Sequence, residues 1–246
     1  MRALWKLTWM EIKLFLREPV GLFFTLAFPL LLLFLFGAIF GNEPVAELGG
    51  RGTVDVSVPG YVAMVIGTLG LIGLPIGLAS YRQQGVLRRY RATPLHPSIV
   101  LAAQVIFGLA IAFAGAVLLI VAAHLAYAVP WPGAPLSLAG ALVLSSLSFF
   151  SAGFILGGVL PTARTAQAVG MAIFFPMLFL SGASGMPREL LPDTLRRISD
   201  LLPLSYVVTL IADLWYGQGW NGLALVVLSG MLIVGAVVSV LTFRWE

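Results

Sequence analysis

The side chains that could do chemistry are few, and their spacing excludes most of it. The chain has two histidines, His96 and His124, two lysines, Lys6 and Lys13, and no cysteine. Zero Cys means no disulfide framework, iron–sulfur cluster or thiolate metal site. The zinc-peptidase pattern H-E-x-x-H is absent, and an apolar, bilayer-length stretch separates His96 from His124, so they cannot share a metal. No base stands near any serine in a pattern that would make it a nucleophile. A P-loop needs a Lys directly after a Gly, whereas Lys6 follows Trp5 and Lys13 follows Ile12. No catalysis is expected on this chain, and if ATP drives it, the ATPase is another polypeptide.

The elements that carry these residues follow from composition. Of 246 residues, 60% are hydrophobic and 10% charged, with a mean hydropathy of +1.02. Soluble domains run at roughly 45–50% and 25%. The chain reads as an integral membrane protein, and the same arithmetic excludes disorder. Charge-free stretches cover 24 residues between Glu18 and Glu43, 26 from Val56 to Tyr81, 72 from Ala92 to Ala163, 23 from Thr165 to Pro187 and 30 from Leu214 to Phe243. The longest is broken by Pro130, Pro132 and Pro135, which cannot continue a helix. The result is an all-α membrane protein, one domain over 1–246, with six transmembrane helices near 20–41, 60–80, 100–127, 137–160, 167–186 and 221–243.

Six spans put both ends on one side. That side holds ten Lys/Arg (Arg2, Lys6, Lys13, Arg17, Arg82, Arg88, Arg89, Arg91, Arg164, Arg244) against three acids, Glu11, Glu18 and Glu246. The other side holds four Arg and seven acids. The positive-inside rule predicts both termini in the cytoplasm of a cell inner or plasma membrane. No span centre carries an ionisable group, His124 near the end of the third being the nearest case. That argues against proton-coupled carriage.

Three segments outside the spans carry pattern. In 1–18, Arg2, Lys6, Lys13 and Arg17 fall within roughly 60° of a helical wheel, with the apolar residues elsewhere, as in an interfacial helix. In 81–97, four arginines and no acid surround a Val86, Leu87, Tyr90 stripe before Thr93-Pro94, which reads either as a basic loop or as a short helix docking a soluble partner. In 187–203, Leu191, Leu195, Ile198, Leu201 and Leu202 oppose Glu189, Asp193, Arg196, Arg197 and Asp200, predicting a short outer amphipathic helix between spans five and six. Gly37/Gly41, Gly73/Gly77 and Gly153/Gly157 are G-x-x-x-G pairs, expected to serve packing. Pro29, Pro75 and Pro176 are expected to kink spans one, two and five.

The stretch Arg82, Gly85, Leu87, Arg88 followed by Thr93-Pro94-Leu95 resembles that of ABC-2 permeases, the membrane halves of bacterial ABC exporters. So do Ser181-Gly182 after the fifth span and Pro203-Leu204-Ser205-Tyr206 further on. Where family members usually carry Glu, this chain has Gln83. The resemblance runs in order over nearly the whole chain. It implies a cytoplasmic coupling helix contacting an ABC nucleotide-binding ATPase subunit through Arg82, Gly85, Leu87, Arg88, Arg89, Arg91, Pro94 and Leu95. It implies no cofactor on this chain, with ATP and Mg on the partner subunit. It also implies a second permease copy or paralogue, the lipid bilayer as surroundings and no nucleic acid as partner. The translocation path would be lined by spans one, two and five, through Phe24, Phe28, Leu32, Met64, Phe174, Phe175 and Met177. Such apolar faces suit export of a hydrophobic or amphiphilic substrate, drug-like or else lipid or polysaccharide. A non-transporting assembly or anchoring subunit is the alternative, with a secondary carrier behind it.

Overall fold

The computed structural model describes residues 2–86, 97–186, 188 and 191–242. All regular elements in it are helical, apart from a single bridge between Val45 and Arg51. A helix over Arg2–Leu16 leads into span 1, Pro19–Phe40. Span 2 is Thr53–Gln83, span 3 Pro97–Tyr127, span 4 Pro135–Val159, span 5 Ala163–Leu180 and span 6 Gly222–Thr242. Among the described residues, six helices are therefore long and apolar enough to cross a membrane.

Span 2 is the hub. Of its most apolar stretch 72% is buried, against 22% for span 1 and 17% for span 6, so the outer two present most of their apolar surface outward. Small residues make the close approaches. A Cβ added to Gly153 would lie 2.1 Å from the Gly70 carbonyl oxygen, and one added to Gly157 would meet Leu78 and Pro75. That G-x-x-x-G pair thus seats span 4 on span 2 within one chain. Spans 4 and 6 are joined by serines: Ser148 Oγ donates to the Leu228 carbonyl at 2.8 Å and Ser239 Oγ to the Ser151 carbonyl at 3.1 Å.

Spans 1 and 2 each contain a one-turn π-helix, Phe23–Ala27 and Leu69–Gly73. Each is followed two residues later by proline, Pro29 and Pro75. The Phe28 amide reaches back five residues to Phe23, and the Leu74 amide to Leu69. Proline removes the donor for the carbonyl four residues before it, and the wider turn accommodates the loss.

The structure departs from the sequence expectation at three places. Span 2 starts at Thr53, not 60, taking in Asp55 and Pro59. Pro59 has no amide for the Asp55 carbonyl, and the Tyr216 hydroxyl donates to it instead at 3.3 Å. Trp215 Nε1 donates to Asp55 Oδ1 at 3.3 Å, so the acid is sheltered in the helix. Span 5 ends at Leu180, six residues early, in a turn where Gly182 has φ +86° and Gly185 φ +90°. Third, the short helix in the 187–203 segment, Asp193–Ser199, is followed by one with no counterpart in the sequence reading, Pro203–Trp215. The two meet at 90°. The second packs Leu204, Val207, Leu210, Ile211 and Leu214 into the core against span 2.

Candidate ligand cavity

A cavity of about 790 Å³ opens between spans 1, 2, 3 and 5 and the N-terminal helix, with Phe150 of span 4 at its wall. Its lining runs along span 2 from Gln84 to Met64, a rise of about 30 Å at 1.5 Å per residue. At the end carrying the N-terminal helix it is polar, with Glu11, Glu18, Ser80, Tyr81 and Gln84. The rest of the wall is largely aromatic: Phe15 beside that end, and Phe24, Phe28, Phe107, Phe150, Phe174 and Phe175. Both π-helices contribute to the wall through Phe24, Thr25, Leu69, Ile72 and Gly73.

Of the expected path residues, Phe24, Phe28, Met64, Phe174 and Phe175 line this cavity. Leu32 and Met177 are not among its lining; Met177 is buried in the core. Sequence reasoning missed the polar wall. Gln104 on span 3 is 6% exposed and its Oε1 has no hydrogen-bond partner among the described residues. Its only sequence signal is an amide inside an otherwise apolar span.

Glu11 is half-buried and accepts a hydrogen bond from the Tyr81 hydroxyl at 2.7 Å, pinning the N-terminal helix to span 2. Burial pushes its carboxyl above the usual carboxylate range, and the Tyr81 bond offsets part of that rise. The Phe15 ring packs edge-on against Phe107 at 5.6 Å and fixes the same helix to span 3. Trp5, Trp9 and Leu16 remain exposed on one face, suited to the lipid boundary.

Beyond Met64 the described residues close the bundle. A Cβ on Gly60 would sit 2.4 Å from the Gly182 carbonyl, and Ser57 Oγ donates to the Gly185 carbonyl at 2.7 Å. Asn42 joins the neighbouring ends, its Nδ2 donating to the Tyr127 carbonyl at 3.1 Å while its Oδ1 accepts from the Asp55 amide at 3.0 Å. The Arg51 guanidinium lies 3.5 Å over the Tyr216 ring. His124 Nδ1 donates to the Val129 carbonyl at 2.9 Å, closing the turn after span 3.

Of the eight residues the resemblance assigns to the coupling helix, Leu87, Arg88, Arg89, Arg91, Pro94 and Leu95 lie outside the described residues. Arg82 and Gly85 are described. Arg82 donates to the Gly158 carbonyl at 2.9 Å and to the Leu160 carbonyl, satisfying the end of span 4 where the helix dipole favours a cation. Gln83 Oε1 accepts from the Ala163 amide at 3.1 Å, at the start of span 5. Gly85, at φ +66°, turns the chain out of span 2.

The six apolar helices are those of a multi-pass membrane protein, and sequence comparison gives its family. The model of the ABC-2 type transporter family matches residues 2–216. The chain belongs to that family. It is 26% identical over 245 residues to the daunorubicin resistance ABC transporter permease protein DrrB1 of Streptomyces coeruleorubidus, covering 96% of this chain and 84% of that one. It is 32% identical over 112 residues to Nodulation protein J of Sinorhizobium fredii (strain NBRC 101917 / NGR234), covering 46% and 42%. No solved structure matches. The chain is thus a membrane permease subunit of the ABC-transporter type.

Proposed function

We propose that this permease works in an ATP-driven exporter that takes an amphiphile from the inner side of a cell membrane. The observation that carries the reading is the cavity: it reaches the basic end of the bundle at Glu11 and Gln84 and stops at Met64, beneath a closed opposite end. The excess of Lys/Arg at the open end supports a cytoplasmic location for it and for both termini. Aromatic walls over a polar mouth fit an amphiphile better than a sugar polymer. A chain without a Walker A lysine draws its energy from a separate ATPase subunit, with ATP and Mg held there. Docking of that subunit is assigned to 82–95, and a second permease copy or paralogue to the exposed faces of the bundle.

The test is co-expression with a candidate ATPase chain. The expected outcome is co-purification, and ATP hydrolysis stimulated by amphiphiles in reconstituted vesicles. Arg88→Glu with Arg89→Glu should uncouple hydrolysis from transport. Transport at full rate by the purified permease alone would overturn the reading. Sidedness is checked with single cysteines placed at Gly50 and Gly217, since the natural chain has none. Both should react with an impermeant maleimide added to intact cells.

A further inference from the structure

The half of the bundle that carries the cavity mouth divides into two bodies. Leu74–Gln83, the second half of span 2, packs closely on spans 4 and 5. Gly157 of span 4 seats against Leu78 and Pro75, and Gly170 of span 5 against the Leu71 carbonyl. Arg82 and Gln83 tie the same body together, one at the end of span 4 and the other at the start of span 5. The N-terminal helix packs instead on span 3, where Phe15 meets Phe107, and on the first turn of span 1. The cavity lies between the two bodies, with Phe15 and Phe107 on one wall and Ile76, Ser80 and Phe175 on the other.

Across the mouth the described residues of the two bodies meet at few points. The Tyr81 hydroxyl donates to Glu11 Oε1 at 2.7 Å. Further in, Gln104 of span 3 faces Gly77 of span 2, where an added Cβ would still lie 4.0 Å from Gln104 Nε2, so no side chain interlocks. The bodies meet firmly near the π-turns. A Cβ on Gly108 of span 3 would lie 2.6 Å from the Phe150 ring of span 4, whose neighbour Phe149 packs on Gly70. Beyond that level spans 1, 2 and 3 pack directly on one another. One π-turn, Phe23–Ala27, belongs to the first body's chain and the other, Leu69–Gly73, to the second's. Leu26 of the former reaches the Gly115 position beside Val65, one helical turn before the latter, so the two lie at nearly one depth. A π-turn followed by proline is where a helix bends most readily.

We infer that the two bodies are jaws that swing about the π-turns, and that the Glu11–Tyr81 bond is the latch that holds the mouth. Tyr81 is then a positioning residue. It stands eight residues beyond Gly73, a lever of about 12 Å at 1.5 Å per residue. A bend of about 20° at the turn carries it about 4 Å and breaks the bond. Such a bond shifts a two-state equilibrium by about tenfold. The inference goes beyond the exporter reading, because it concerns how the mouth moves whatever the occupant.

The test is double electron–electron resonance on the full chain in nanodiscs, with nitroxides on introduced cysteines, since the natural chain has none. Met10→Cys with Val159→Cys spans the mouth. Met10→Cys with Ile106→Cys stays within one jaw, and Glu43→Cys with Gln218→Cys spans the closed end; all these positions are exposed. The natural chain should hold mainly one, shorter mouth distance. Tyr81→Phe, which keeps the ring and removes the hydroxyl, should raise the share of a longer one about tenfold. The other two pairs should not change, which shows that the fold persists. Pro75→Ala returns an amide to the turn and should lower the share of the longer distance. A mouth distance that neither substitution moves would overturn the proposal. So would a Met10–Ile106 distance that spreads along with the mouth pair, since the N-terminal helix would then be peeling off span 3 alone. The measurement needs no ATPase subunit, so this inference and the exporter reading fail independently.

Discussion

Arg82 shows how one side chain serves two helices. It leaves the end of span 2 and satisfies two carbonyls at the end of span 4, a place where orphan acceptors and the dipole both call for a cation. Arg82→Ala should cost about 1.5–3 kcal/mol of stability, read as a lowered unfolding midpoint in detergent. Arg82→Lys should recover only part, because an ammonium lacks the planar fork that spans two acceptors. Gln83, the residue that departs from the family pattern, keeps a carbonyl oxygen where a glutamate would keep one, and the Ala163 amide finds its acceptor. The Glu11–Tyr81 pair makes a sharper prediction. The hydroxyl bond favours the ionised carboxylate and burial opposes it. Tyr81→Phe removes the favourable part, so Glu11 should hold its proton to still higher pH. A carboxyl carbon resonance from labelled Glu11, followed through a titration, should move its midpoint upward; a downward move would contradict the assignment.

Among the elements, the spans were legible and their fittings were not. Long charge-free runs announce transmembrane helices because a bilayer tolerates little else. The start of span 2 was hidden because Asp55 and Pro59 are both poor signs of a helix in a membrane, and their partners, Trp215 and Tyr216, lie about 160 residues further on. Pro203–Trp215 was hidden for a related reason: 13 residues are too few to cross, and a prolyl start with Asp213 near its end reads as a loop. Of the cavity's seven phenylalanines, Phe24, Phe28, Phe174 and Phe175 are among the path residues that the family resemblance implies, and Phe15, Phe107 and Phe150 are not. Its acids are not among them either, since Glu11 and Glu18 look like ordinary members of a basic leader until the helix is folded back on spans 2 and 3. The glycines separate by environment. Gly153→Ala should destabilise by about 1–3 kcal/mol, because the new methyl meets the backbone of Gly70. Gly230→Ala, with open space around it, should be neutral or gain up to about 1 kcal/mol from helix propensity. Thermal unfolding of the two variants side by side decides it.

At the scale of the whole molecule, a heavily buried span 2 stands between an open end and a closed one. The closed end is held by many small polar contacts around Asn42, Asp55, Trp215 and Tyr216, whereas the open end is held by the N-terminal helix through Glu11 and Phe15. Spans 1 and 6, mostly unburied, are the faces left for lipid or for a second copy. The two π-turns bear on this in a way that isotope labelling can read. Both lie on the cavity wall, and each is followed by a proline that leaves a carbonyl without its usual amide, at Thr25 and Leu71. Elsewhere in the interior of span 2 the amides are shielded by neighbours, so deuterium should enter that helix first at Leu69–Leu74. Mass spectrometry of peptides from the protein in nanodiscs should record this early uptake, together with its suppression when the cavity is filled. Uniform protection along the span would mean that the widened turn is as tightly locked as the helix around it.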